Sequence, residues 1–91
     1  MMGTPSETEF LCASLYHTWL VNEKNRRNLP DDGKVYLCRY TENGDVFDRE
    51  DVTESDIPSK IAFALYNSQG LGVTAIGIEF SDKKPIGKIE I

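Results

Sequence analysis

The sequence predicts a small single α+β domain in the order α-β-β-α-β-β, with its helices packed on one face of an antiparallel sheet. Two kinds of local signal predict it: two helical stretches carry start signals of their own, and each is followed by strand-like residues around a turn. A length of 91 residues, with 40% hydrophobic and 27% charged composition, suits one folded core and leaves no room for a second.

Residues 1–5 read as a flexible tail and residues 6–91 as the domain. Ser6 followed by Glu9 matches a capping box, in which the serine oxygen takes a free first-turn amide and the glutamate returns to the serine amide. At 100° per residue, Leu11, Cys12, Leu15, Tyr16, Trp19 and Leu20 form one apolar stripe, which is expected to face the core. His17 falls outside it. "NEKNRRNLPDDG" then predicts a loop, with Lys24, Arg26 and Arg27 near the negative end of the helix dipole.

"KVYLCRYTENGDVF" predicts a hairpin, because Asn43-Gly44 tolerates the positive φ angles of a tight type I′ turn. The return strand, around Val46 and Phe47, is expected to be short. In "ESDIPSKIAFALYNSQGLG", Pro58 suits the first turn of a helix and Gly70 its left-handed stop. Ile57, Ile61, Ala64 and Leu65 share a narrow stripe that Ser68 completes, and Phe63 and Tyr66 lie off it. In "GVTAIGIEFSDKKPIGKIEI", Thr74, Ile76, Ile78 and Phe80 alternate with Ala75, Gly77 and Glu79, the period of a half-buried strand. A turn and a last strand ending in Ile89 and Ile91 complete the chain.

Several function classes lose support at this level. The N-terminus lacks the basic head and apolar core of a signal peptide, and no apolar run approaches a membrane span. Cys12 and Cys38 are too few for a disulfide framework, so the expectation is a cytoplasmic protein with no membrane contact. Cys12, His17 and Cys38 lack the tight ligand spacing of a structural zinc site. The run "DVFDREDVTESD" fails the calcium-loop pattern, and the glycines miss the nucleotide-binding ones. No catalytic residue, metal or cofactor is expected.

Charge is the feature that stands out. Residues 42–56 hold seven carboxylates against Arg49, a local balance of −6, whereas the remaining residues sum to +1 within a net charge of −5. Packed like charges repel unless they stay solvated or meet a basic partner. In an extended stretch Asp48 and Glu50 project the same way, about 6 to 7 Å apart, a spacing able to imitate a phosphate row. Phe63 and Tyr66, three apart on a helix, would add an aromatic patch. The candidate partner-binding residues are therefore Glu42, Asp45, Asp48, Glu50, Asp51, Glu54, Asp56, Phe63 and Tyr66.

The expected function is a small acidic protein-binding module, not an enzyme, that docks on a basic surface of a partner protein. One concrete form is an inhibitor that occupies its target's nucleic-acid groove by charge imitation, as small acidic antagonists from phages and mobile elements do. The plainer alternative is a solvated loop leading into an acidic helix start. An accessory or regulatory subunit of a larger enzyme, with incidental acidity, is a further alternative. A weak single-stranded nucleic-acid binder would use Tyr36 and Tyr40 with Arg26, Arg27, Lys83, Lys84 and Lys88. The overall negative field argues against that last reading.

Overall fold

Helix α1 spans Glu7–Arg27 and starts as the capping box requires: Ser6 Oγ accepts from the Glu9 amide at 3.2 Å, and the Ser6 amide donates to Glu9 Oε1 at 2.8 Å. The computed structural model describes residues 3–28, 35–80 and 85–91. Four strands follow, β1 Val35–Thr41, β2 Val46–Val52, β3 Val73–Glu79 and β4 Pro85–Glu90, with a short 3-10 turn, Glu54–Asp56, leading into α2, Ile57–Asn67. The sheet is antiparallel throughout, in the order β2-β1-β3-β4, which makes β2 and β4 its edges. The order of elements is the one the sequence predicts. Helix α1 runs on to Arg27, well into the predicted loop, whose residues 29–33 lie outside the described residues, as do residues 81–84 of the "SDKKP" turn.

Both helices pack on one face of the sheet. Ile57, Ile61, Ala62 and Ala64 of α2 join Ala13, Tyr16 and Leu20 of α1 over Val35, Leu37, Ile76 and Ile78 of the strands. Burial of aliphatic side chains of this size, about 1.5 to 3 kcal/mol each, is the main term holding the two layers together. Helix α2 ends as predicted, with Gly70 at φ 76° and with Ser68 Oγ donating to the Ala64 carbonyl. The hairpin turns at Gly44, φ 84°, where a side chain would be strained; Asn43 is not at positive φ, so the turn is not the expected type I′ turn.

Three other expectations need correction. The apolar stripe of α1 is only partly its buried face: Tyr16 and Leu20 of the stripe are buried together with Ala13 and Lys24, while Leu11, Leu15 and Trp19 are 60, 64 and 41% exposed. Ala13 lets α2 approach closely, and the Tyr16 hydroxyl is held by the sheet, so the helix is rotated away from its greasiest side. The return strand is not short, because β2 continues through the acidic residues to Val52 and pairs with β1 along its length. Strand β3 is buried on both faces, since Ala75, Gly77 and Glu79 are covered as well as Ile76 and Ile78.

Among the described residues no helix covers the sheet's second face, which is covered by polar and aromatic side chains. Cys38, Tyr40 and Ala75 form a small cluster with Tyr36 packed on it. Glu79, 6% exposed, sits at its centre: Tyr40 Oη donates to Glu79 Oε2 at 3.1 Å and Cys38 Sγ to the same oxygen at 2.9 Å. Arg49 lies 3.7 Å from Glu79 Oε1 and stacks on the Tyr36 ring at 4.0 Å, and Lys88 lies 3.8 Å from the Tyr40 ring centre. Burial and the neighbouring carboxylate push the Cys38 thiol up to about 12. Burial likewise raises the Tyr40 phenol above its ordinary range. Both groups are therefore protonated donors to Glu79 near neutral pH.

Candidate functional site

The seven carboxylates of the acidic run divide by the geometry of the hairpin. Side chains alternate across a strand, so Asp48 and Glu50 project to the helix side with Leu37 and Arg39, and Asp51 projects to the other side with Tyr36. Glu42 and Asp45 flank the hairpin turn, and Glu54 and Asp56 belong to the 3-10 turn. They do not form one continuous row.

Three of the seven hold a cation of their own chain. Arg39 forks Asp48, with Nε donating to Oδ1 at 2.8 Å and the terminal nitrogen to Oδ2, which holds the Asp48 carboxyl below its ordinary range. Lys60 of α2 donates to Glu50 at 3.2 Å. Lys24, 8% exposed, donates to both oxygens of Glu54 at 3.0 and 3.1 Å and lies 5.5 Å from the Phe80 ring centre. That last pair ties the end of α1 to the entry of α2. Glu42, Asp45, Asp51 and Asp56 make no ion pair among the described residues. Adding the charges of Arg39, Lys60 and Lys24 to the local balance of −6 leaves −3, a sum that still counts Arg49, which faces Glu79 outside the segment.

The helix layer covers β2 only in part: Val52 joins the core and Lys60 of α2 reaches Glu50, while the helix side of the strand around Asp48 and Glu50 borders an open groove of about 370 Å³. Arg39, Asp48, Glu50, Lys60, Phe63 and Asn67 line it. Phe63, 39% exposed, forms one wall and meets Phe10 edge-on at 6.3 Å between ring centres, while Arg39 stacks 5.1 Å from Phe47. Phe63 thus shares a groove with the acidic strand. Tyr66 does not line it: the ring is half-buried, and its hydroxyl occupies the space a side chain at Gly3 would need.

Arg39, Lys60 and Asn67 escaped the sequence reading. A signal for Arg39 exists, because a hairpin centred on Asn43-Gly44 places it opposite Asp48, with Phe47 the extra residue of a bulge. Lys60 and Asn67 depend on where α2 lands, which no local pattern gives. On the other face, Tyr36 and Tyr40 carry Arg49 and Lys88 on their rings, and Tyr40 is buried. Arg26 and Arg27 are engaged with Glu23, while Lys83 and Lys84 lie outside the described residues.

Comparison with family models, with curated proteins and with solved structures finds no match for this chain. No helix among the described residues is long and apolar enough to cross a membrane.

Proposed function

We propose that this chain is a small acidic protein-binding module, with no chemistry of its own, that receives a basic extended segment of a partner protein along its β2 edge. One observation carries the reading: β2 is an open edge strand whose residues from Val46 to Asp51 are all exposed, beside a groove that includes Phe63. An open edge presents unpaired backbone amides and carbonyls, and an added strand pairs with them while its alternate side chains enter pockets on either side. On the helix side those side chains would meet Phe63, Asp48 and Glu50. On the other they would pass over Asp51.

Attraction for cations comes chiefly from Glu42, Asp45, Asp51 and Asp56, since Asp48 and Glu50 are already balanced. A phosphate-like row at Asp48 and Glu50 is accordingly the weaker part of the reading, and long-range steering by the uncompensated charge is the stronger. A partner whose nucleic-acid-binding surface supplies the basic segment would be inhibited by occupation.

A second reading rests on the same strand. Charged side chains on an edge are a common way of preventing edge-to-edge aggregation, and VFDREDV fits that role. The chain would then be an accessory domain whose acidity is incidental to binding.

The two readings separate on titration with a synthetic peptide of alternating lysine and valine, with a glutamate–valine peptide as control. Binding by the lysine peptide, with amide shifts concentrated in β2, is expected at low salt and should weaken steeply as salt rises. The combined change Glu42→Gln, Asp45→Asn and Asp51→Asn, which breaks no ion pair of the described residues, should weaken it by about tenfold or more. A variant that aggregates while binding unchanged would point to the edge guard. No binding by the wild-type chain at low salt would reject the docking proposal.

A further inference from the structure

Two arginines of the chain are each held by a carboxylate and an aromatic ring together. Arg39 forks Asp48, lies 5.1 Å from the centre of the Phe47 ring and donates to Ser68 Oγ at 3.3 Å. Arg49 lies 3.7 Å from Glu79 and 4.0 Å from the Tyr36 ring centre. A planar guanidinium suits both partners at once, because its edge donates to carboxylate oxygens while its flat face stacks on a ring.

The groove beside β2 offers the same pair of groups again. Glu50 and Phe63 both line it, both are exposed, and no cation lies over the Phe63 ring among the described residues. Glu50 holds a lysine instead: Lys60 reaches it with a single hydrogen bond of 3.2 Å, and the two side chains are 54 and 45% exposed. An ammonium is a compact, hydrated point charge that makes no such fork, and a pair so exposed adds little stability and exchanges readily. The Asp48 pair is closed by comparison, since the Arg39 side chain is 18% exposed and is held by Asp48, Phe47 and Ser68 together.

We infer, resting on the docking reading above, that Glu50 and Phe63 form a guanidinium site, and that the basic segment received along β2 bears an arginine there. Side chains of an added strand alternate, so those on the helix side pass beside Glu50. The entering arginine forks Glu50, stacks on Phe63 and releases Lys60 to solvent. A lysine in the same place only exchanges one ammonium for another, with no gain. Glu42, Asp45, Asp51 and Asp56 attract either cation alike, so they speed encounter while Glu50 and Phe63 make the choice.

Titration of the full chain with two capped peptides tests this, one alternating arginine with valine and the other alternating lysine with valine. The two carry equal charge, so general attraction to an acidic edge gives them similar affinity. The arginine peptide should bind about five- to tenfold more tightly at the same low salt. Glu50→Gln, at an exposed position, should bring that ratio to about twofold or less. Phe63→Leu should lower the ratio by about twofold, and Glu50→Gln carries the test should the Phe63 variant fail to fold. Asp51→Asn, on the other side of β2, should weaken both peptides and leave the ratio unchanged. Equal affinity of the wild-type chain for the two peptides would overturn the guanidinium site and leave the docking proposal standing. So would a preference for arginine that survives Glu50→Gln undiminished. Binding of neither peptide at low salt would reject the docking proposal and the guanidinium site with it.

Discussion

Replacing Tyr16 by phenylalanine removes one oxygen atom, and that oxygen makes two hydrogen bonds. The register between β3 and β4 shifts between Gly77 and Glu79, so Ile78 has no counterpart in the β4 ladder. Its amide donates instead to Tyr16 Oη at 3.1 Å, and Tyr16 Oη donates to the Gly87 carbonyl at 2.8 Å. A hydroxyl from the helix layer thus closes a gap in the sheet. Burial raises the Tyr16 pKa, which keeps the group protonated and able to serve as donor and acceptor together. The phenylalanine ring fills the same space, so no cavity term enters.

The loss is an orphaned buried amide, about 1 to 3 kcal/mol, with a smaller share from the partly exposed carbonyl, for a total of about 2 to 3 kcal/mol. In a domain of this size that lowers Tm by roughly 10 to 20 °C. Urea unfolding followed by Trp19 fluorescence measures it, since the indole lies 5.8 Å from the Tyr16 ring and against Gly87. Hydrogen exchange supplies a local check: Ile78 should lose amide protection beyond the global change in stability. A Tyr16→Phe chain within about 0.5 kcal/mol of wild type, with Ile78 still protected, would refute the Tyr16 hydroxyl as the anchor that sets the rotation of α1.

Two further outcomes follow from the polar layer on the other face. Glu79→Ala leaves the Cys38 and Tyr40 donors without their acceptor and should cost about 2 to 4 kcal/mol in urea unfolding, while Glu79→Gln, which keeps a carbonyl oxygen, should cost less than half as much. Equal losses for the two variants would rule out the hydrogen bonds as the cause. The Cys38 thiol has its folded pKa raised above the unfolded value, to about 12 from 9.0, so the native state retains the proton where the unfolded state loses it. Its contribution to stability is fully present below about pH 9 and is lost progressively as pH rises toward 12. Cys38→Ala should flatten that alkaline limb, and at pH 8 a thiol reagent should modify Cys12 much faster than Cys38. Equal rates in the folded protein would contradict the burial of Cys38.

Much of this architecture is readable from short stretches. Ser6 with Glu9, Asn43-Gly44, Pro58 and Gly70 each act within a few residues, through a cap, a turn or a backbone angle, and each stands where it was expected. The alternation of Ile76, Ile78 and Phe80 marked the helix-facing side of β3, while the cover over Ala75, Gly77 and Glu79 comes from Cys38, Tyr40 and Lys88, which lie elsewhere in the chain.

Element order, turn positions and the concentration of acid between residues 42 and 56 were determined by the sequence alone, because they depend on neighbours along the chain. Tertiary structure decided which side of α1 is buried, which carboxylates are neutralised and where Phe63 points. Those outcomes turn on pairs such as Lys24 with Glu54, Lys60 with Glu50 and Tyr16 with Ile78, brought together by folding across 30, 10 and 62 positions. The most apolar side of α1 lost the competition for the core because Ala13 and the Tyr16 hydroxyl fit surfaces contributed by α2 and by the β3–β4 bulge, and no local pattern encodes the shape of a distant surface.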